Sequence, residues 1–237
     1  MLDRIAKEKL NVILLVDTSK SMQGERIQQV NQAIRDIKDY LIDLQIENSN
    51  VDFYISIIEF SNNAEFYNNN TEENVSNFKF DDIKCGGWSN LHFGYQKLSE
   101  LLKRQSKGGI MSDFGGVAPI ILLLTDGHPT TDAYKEELNI LKKSAWFKVA
   151  MRYGIAIELN DKRTKAVLKD FVGENGDVID CYSATKLKDI IKIIVLTASK
   201  VKSTSANVSI GNSQASQNQV IRQEIAEALT DIDDWGW

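Results

Sequence analysis

Cysteine is scarce: the 237 residues hold only Cys85 and Cys181, far apart and in no Cys-x-x-Cys pair, so neither a zinc knuckle nor a redox couple is encoded. Both read as reduced, structural thiols. Basic runs are missing as well. Lys and Arg number 28 against 33 Asp and Glu, for a formal net charge of -5 and a pI near 5.2. Without a basic field, non-specific binding of nucleic acid or of an anionic membrane is not expected. No apolar run approaches the roughly 18 residues of a membrane span. Residues 1–9 carry too many charges for a signal peptide. The expectation is a cytoplasmic protein. Residues 107–116 contain four glycines but no following Gly-Lys-Ser/Thr, so they read as a flexible connector and not as a phosphate loop.

What is present begins with Asn11-Val12-Ile13-Leu14-Leu15-Val16-Asp17-Thr18-Ser19-Lys20-Ser21. An apolar run long enough for one buried strand delivers an aspartate and two serines, at alternate positions, to the point where a helix should begin. In an open α/β sheet the loop leaving the carboxyl end of a strand is where ligands bind. One carboxylate and two hydroxyls offer only oxygen, the donor set of a hard cation such as Mg²⁺ or Mn²⁺ and not of zinc.

With 43% hydrophobic residues the chain supports one large core and a short appendage. Apolar residues at helical spacing (Ile27, Val30, Ile34, Ile37, Leu41, Leu44) predict an amphipathic helix over residues 24–47. A strand over 51–60 and a short edge strand over 64–67 follow, joined so closely that the pair must be an antiparallel hairpin. Residues 75–80 read as extended. Leu91, Tyr95, Leu98, Leu101 and Leu102 mark a second helix, whose start carries hydroxyl and amide side chains suited to capping. Residues 117–125 are almost wholly apolar, as in the middle of a parallel sheet, and end on Asp126-Gly127-His128-Pro129-Thr130. A helix over 134–144, a strand over 148–157, a helix over 162–171, a strand over 178–180 and a helix over 184–200 complete the alternation. The fold class is therefore α/β, a doubly wound, mostly parallel open sheet with one antiparallel edge strand and helices on both faces. Three stretches are expected: a domain over 1–201, a flexible polar linker over 202–219, and over 220–237 an acidic amphipathic helix with Trp235 and Trp237. The tail reads as a docking peptide for a partner or for a second copy of the chain.

In that sheet Asp17, Ser89 and Asp126 lie at one edge, and with Ser19 and Ser21 they supply five oxygen side chains around one point. At these residues the chain resembles the von Willebrand factor A family, whose metal-ion-dependent adhesion site is built from Asp-x-Ser-x-Ser, a later Thr and a later Asp. Asp17-Thr18-Ser19-Lys20-Ser21 matches the first element and Leu124-Thr125-Asp126-Gly127 the last. In the middle element Gly87-Trp88-Ser89-Asn90-Leu91 stands where close relatives have Gly-Gly-Thr-x-Leu, so Ser89 keeps the hydroxyl while Trp88 replaces a small residue. Leu123-Leu124-Thr125-Asp126-Gly127-His128-Pro129-Thr130 is similar to the bacterial tellurium-resistance-associated, TerY-type members. The resemblance implies a doubly wound fold over residues 10–200. It also implies a protein partner offering Asp or Glu to the ion, in a stress-response setting with a kinase-like protein and a metal-dependent phosphatase.

Other readings of the same residues differ in what they require. Asp17, Ser19 and Ser21 could be helix caps. His92 and His128 read as loop residues and not catalysts, since neither has a carboxylate partner in a local motif. Trp88 either contacts a partner or covers its loop. A metal-dependent phosphotransfer or hydrolytic enzyme would use Asp17 as nucleophile, but its acid/base chemistry wants a second carboxylate two residues on, where this chain has Ser19. The expectation is a binding module and not an enzyme.

Overall fold

The computed structural model describes residues 7–47, 50–158, 161–174 and 176–205, together with Gln223 and Glu227. Its centre is β1 (Glu8–Asp17), hydrogen-bonded in parallel to β2 (Val51–Phe60) on one side and to β5 (Ile120–Thr125) on the other. β6 (Met151–Ile157) and β7 (Val178–Cys181) continue the parallel sheet beyond β5. β3 (Ala64–Phe66) closes the opposite edge antiparallel to β2, giving the order β3-β2-β1-β5-β6-β7. β4 (Glu73–Asn74) also pairs antiparallel with β2, at Tyr54 and Ile55. The extended stretch expected over 75–80 is not a strand. Val75 and Phe78 instead turn inward and are buried, and Phe78 and Phe80 pack on the ring of Tyr67.

The alternation of side chains along β1 divides the interior in two. Leu10, Val12, Leu14 and Val16 face a core built with α1 (Glu25–Glu47) and α6 (Ala184–Ser205). Ile13 and Leu15 face the other, built with α2 (Leu91–Leu101), α3 (Tyr134–Leu141), α4 (Ala145–Val149) and α5 (Lys162–Val172). β1 and β5 are apolar on both faces because both faces are covered.

Four boundaries differ from expectation. The helix expected over 134–144 ends at Leu141, and α4 follows, capped by Ser144 Oγ accepting from Phe147 N–H at 3.4 Å; β6 accordingly starts at Met151. Residues 145–147, between the expected helix and the expected strand, belong to α4, where Phe147 packs on Phe171. Residues 107–116 are no free connector, since Ile110 and Met111 are buried in the second core. The start of α2 has no side-chain cap: Ser89 turns to Asp17, and Asn90 Nδ2 donates to Asn62 O at 3.4 Å. Finally, α6 runs to Ser205, past the start expected for the linker at 202, as the sequence offers no Gly or Pro to stop it there. The expected docking tail over 220–237 lies outside the described residues except for Gln223 and Glu227, which are helical, exposed and joined by a hydrogen bond of 3.1 Å.

One buried charge serves the fold. Arg152 on β6 donates from Nε to Phe171 O at 3.0 Å and from Nη2 to Val172 O at 2.8 Å, and it also reaches Phe147 O and Ala150 O. It thus satisfies the carbonyls left open where α4 and α5 end.

Candidate metal centre

Parallel neighbours end at the same edge of a sheet, and here the last residue of β1 is Asp17 while the residue after β5 is Asp126. The turn after β1 carries Ser19 and Ser21 into a short 3₁₀ segment, Lys20–Met22. That turn is fixed from both sides by backbone. Thr18 donates from N and from Oγ1 to Phe60 O at 2.9 and 3.1 Å. Gly86 N donates to Thr18 O at 2.8 Å and Lys20 N to Gly87 O at 3.0 Å, which stitches the loop before α2 to the loop after β1. Gly87 has φ +84°, and a Cβ there would lie 2.7 Å from the Asn62 side chain, so only glycine fits this crossing.

Ser89 therefore arrives beside Asp17. The Asp17 carboxylate is fully buried, with Oδ1 accepting from Ser19 N–H at 2.9 Å and Oδ2 accepting from Ser89 Oγ at 2.8 Å and Thr125 Oγ1 at 2.7 Å. Ser19 Oγ lies 3.1 Å from Ser21 Oγ, and Ser21 Oγ donates to Asp126 Oδ1 at 2.8 Å. The five residues expected to share a site are thus joined in one hydrogen-bonded run. Asp17 is the closing residue of a strand and not a loop residue, which matters for how it tolerates substitution.

Burial pushes the Asp17 carboxyl above its ordinary value of 3.8, opposed by the hydrogen bonds from Thr125, Ser19 and Ser89. Cys85, half-buried, is pushed up to about 12, by burial first and then by Asp17, Asp126 and Glu59. Its thiol is thereby held in the protonated form, in keeping with a structural role. Among the described residues no cluster of three or more His, Cys, Asp or Glu forms, so any cation here must be held by two carboxylates with hydroxyls. That all-oxygen set fits a hard divalent cation, whose charge would offset the burial of Asp17.

The structure adds residues that the sequence reading missed. Thr125 was visible as a hydroxyl closing an otherwise apolar strand, and it binds Asp17 while its Oγ1 also accepts from Gly127 N at 3.2 Å. Arg26 gave no sign, since a charge in the first turn of an amphipathic helix looks like solvated surface. It donates from Nη1 to Asp126 Oδ2 at 2.6 Å and to Ser21 O at 3.0 Å, and its Nε lies 3.4 Å from Glu158 Oε2. Glu158 is held in turn by Gln29 Nε2 at 2.5 Å and has a left-handed backbone, φ 48°. At the rim Trp88 is 69% exposed, so it does not cover its loop. His128 Nδ1 lies 2.7 Å from Pro129 O and the His92 ring packs on Phe93, so neither approaches the Asp17 cluster through these contacts.

Comparison with known proteins gives a consistent picture. A family model described as the von Willebrand factor type A domain matches residues 11–194. Inter alpha-trypsin inhibitor heavy chain 4 of Mus musculus is 32% identical over 127 residues, covering 51% of this chain and 12% of its own length. Heavy chain H6 of Homo sapiens is 29% identical over 128 residues, covering 51% of this chain and 9% of that one. This chain therefore spans only a small part of these relatives. Among solved structures, the ArnB paralog VWA2 of Sulfolobus acidocaldarius aligns with a TM-score of 0.55 at 22% identity, over 79% of this chain and 45% of that one. Proximal thread matrix protein 1 of the mussel byssus, with a zinc-occupied MIDAS motif, aligns with a TM-score of 0.54 at 17% identity, over 82% of this chain and 48% of that one. At such identities these structures speak to the fold alone.

Proposed function

The chain belongs to the von Willebrand factor type A family, protein-interaction modules that often carry a metal-binding MIDAS site, and from that premise we propose that it binds a partner's Asp or Glu through a divalent cation. Asp17, Ser19, Ser21, Ser89 and Asp126 would hold the ion. The observation that carries this reading is the single hydrogen-bonded run of these residues, linked at Ser19 through its backbone N–H and drawn from three separated segments to one edge of the sheet. A bound Mg²⁺ or Mn²⁺ would be held by two carboxylates and three hydroxyls, and would supply an electrophilic position for a carboxylate of the partner. Ser21 is exposed and Trp88 stands beside Ser89, so the partner's approach is from the solvent side of this edge.

Asp17 argues against the enzymatic alternative. A phosphoryl-accepting aspartate works with a second carboxylate two residues on, and at that position this chain has Ser19, which supplies no acid or base.

The finer setting rests on residues 123–130 and their similarity to TerY-type proteins. On that ground we propose a bacterial cytoplasm, a tellurium-resistance-type stress response, and a kinase-like protein or a metal-dependent phosphatase as partner. Titrating the full chain with Mg²⁺ and with Mn²⁺ in a calorimeter tests the site. Binding by the native chain that is lost in Asp17→Asn supports it, and equal affinity in the two removes it. Material retained by the immobilised chain in Mg²⁺ and released by chelator, with a partner carboxylate required for retention, tests the bridge.

A further inference from the structure

Among the described residues Arg26 is the cation in direct contact with a proposed ligand of the ion, and its contacts are specific. A single nitrogen, Nη1, reaches both Asp126 Oδ2 at 2.6 Å and Ser21 O at 3.0 Å, while Nε turns to Glu158. The Asp126 side chain is 1% exposed, so this guanidinium is the compensation for a buried charge and not a screened surface pair. The contact also fixes which oxygen does what: Oδ2 belongs to Arg26, and Oδ1 is left to Ser21 and the site.

From this geometry we propose that Arg26 is a resident counter-charge that lowers the site's affinity for divalent cations, so that firm cation binding requires the partner's carboxylate as well. The inference rests on the divalent reading above and concerns how strongly the site binds. Two effects act in the same direction. The positive charge of Arg26, in contact with Asp126, repels a second positive charge arriving at the same carboxylate. In addition, with Arg26 in place, the free protein already satisfies Asp126, so the ion gains less by binding it than it would from an unpaired buried carboxylate. Glu158, steadied by Gln29, takes up part of the Arg26 charge and limits the penalty. A partner's carboxylate adds the negative charge that Arg26 withholds. Cation and partner are then coupled, each raising the other's affinity by the same factor.

The experiment uses the full chain with Mn²⁺ as the probe, in calorimetry and in thermal unfolding with and without the ion. Arg26→Gln should bind Mn²⁺ about 10-fold or more tightly than the native chain, the low end of what a close charge does to a carboxylate's proton affinity. Arg26→Lys keeps the charge and should stay within about threefold of native. Without the ion Arg26→Gln should melt earlier, and Mn²⁺ should raise its melting temperature by more than it raises the native chain's. If Arg26→Gln is too unstable to titrate, Glu158→Gln decides: it leaves Arg26 to Asp126 alone and should weaken Mn²⁺ binding. Equal or weaker binding in a folded Arg26→Gln, or equal or tighter binding in Glu158→Gln, overturns the proposal while leaving the site standing. Absence of Mn²⁺ binding in the native chain and both variants overturns the site itself, and this inference with it.

Discussion

Thr125 Oγ1 donates to Asp17 Oδ2 at 2.7 Å across a sequence separation of 108 residues, so the last residue of β5 holds the last residue of β1 in place. Thr125→Val keeps the shape and removes the donor. A buried carboxylate oxygen that loses a partner costs about 1–3 kcal/mol. Urea unfolding of the cation-free protein should show a loss of that size. The same variant should bind Mg²⁺ more weakly, because Asp17 is then held only by Ser19 and Ser89. Unchanged stability and affinity would mean that the Thr125 hydroxyl is incidental.

Asp17 itself separates two substitutions that would be equivalent at a loop position. Asp17→Ala strands the Ser19 N–H and the Ser89 and Thr125 hydroxyls in a fully buried place, at about 1–3 kcal/mol for each donor left unsatisfied. Asp17→Asn keeps the volume and lets the two hydroxyls turn to accept. Both variants should fail to bind the ion at concentrations that saturate the native chain, but the alanine variant should also melt well below the asparagine one. Equal melting temperatures would show that the three donors find other partners.

Trp88, exposed beside Ser89, offers a large apolar surface at the rim, and its backbone N–H donates to Asn62 Oδ1 at 2.9 Å. Trp88→Ala should leave Mn²⁺ affinity and stability within error of native and weaken capture of the partner by 10-fold or more, as expected of an aromatic anchor. A variant that captures the partner as well as the native chain would place the interface elsewhere.

The two thiols give a pH dependence. In the folded chain Cys85 is pushed up to about 12 and Cys181 to about 11, both chiefly by burial, against an ordinary 9.0. Unfolded thiols give up their protons above 9.0 while folded ones keep them, so this contribution to stability is complete below pH 9 and is lost as the pH rises towards 11 and 12. Stability should therefore decline from about pH 9 upward. Iodoacetamide at pH 8 should label the native thiols about 100-fold or more slowly than the urea-unfolded ones. Fast labelling of native protein would contradict the burial of these groups.

Residues whose neighbours are set by the sheet were legible in the sequence. Asp17, Ser19, Ser21 and Asp126 follow strands whose apolar runs fix their edge, and Ser89 follows from the helix that packs behind it. Arg26 was not legible, because its partner Asp126 lies 100 residues away and nothing local separates it from the solvated charges of α1. Arg152 was hidden for the opposite reason: a charge inside an apolar strand can be placed only when the ends of α4 and α5 are known to need it. α4 was not legible because its five residues, Ala145–Val149, are too few to show a helical period.

From Val12 to Val16 β1 is apolar towards both cores, and this leaves the hydrophobic pattern of that run indifferent to register. Sliding the strand by one residue along β2 and β5 would exchange the two sets of side chains, yet Leu, Ile and Val would still meet apolar surroundings on either side. What such a slip cannot preserve is the place of Asp17, which would leave the three donors that meet it from the turn, from the loop before α2 and from the end of β5. The polar terminus thus acts as the alignment pin of an otherwise slippery strand. The residues proposed to bind the ion are then also the ones that make the correct pairing of the central strand unique.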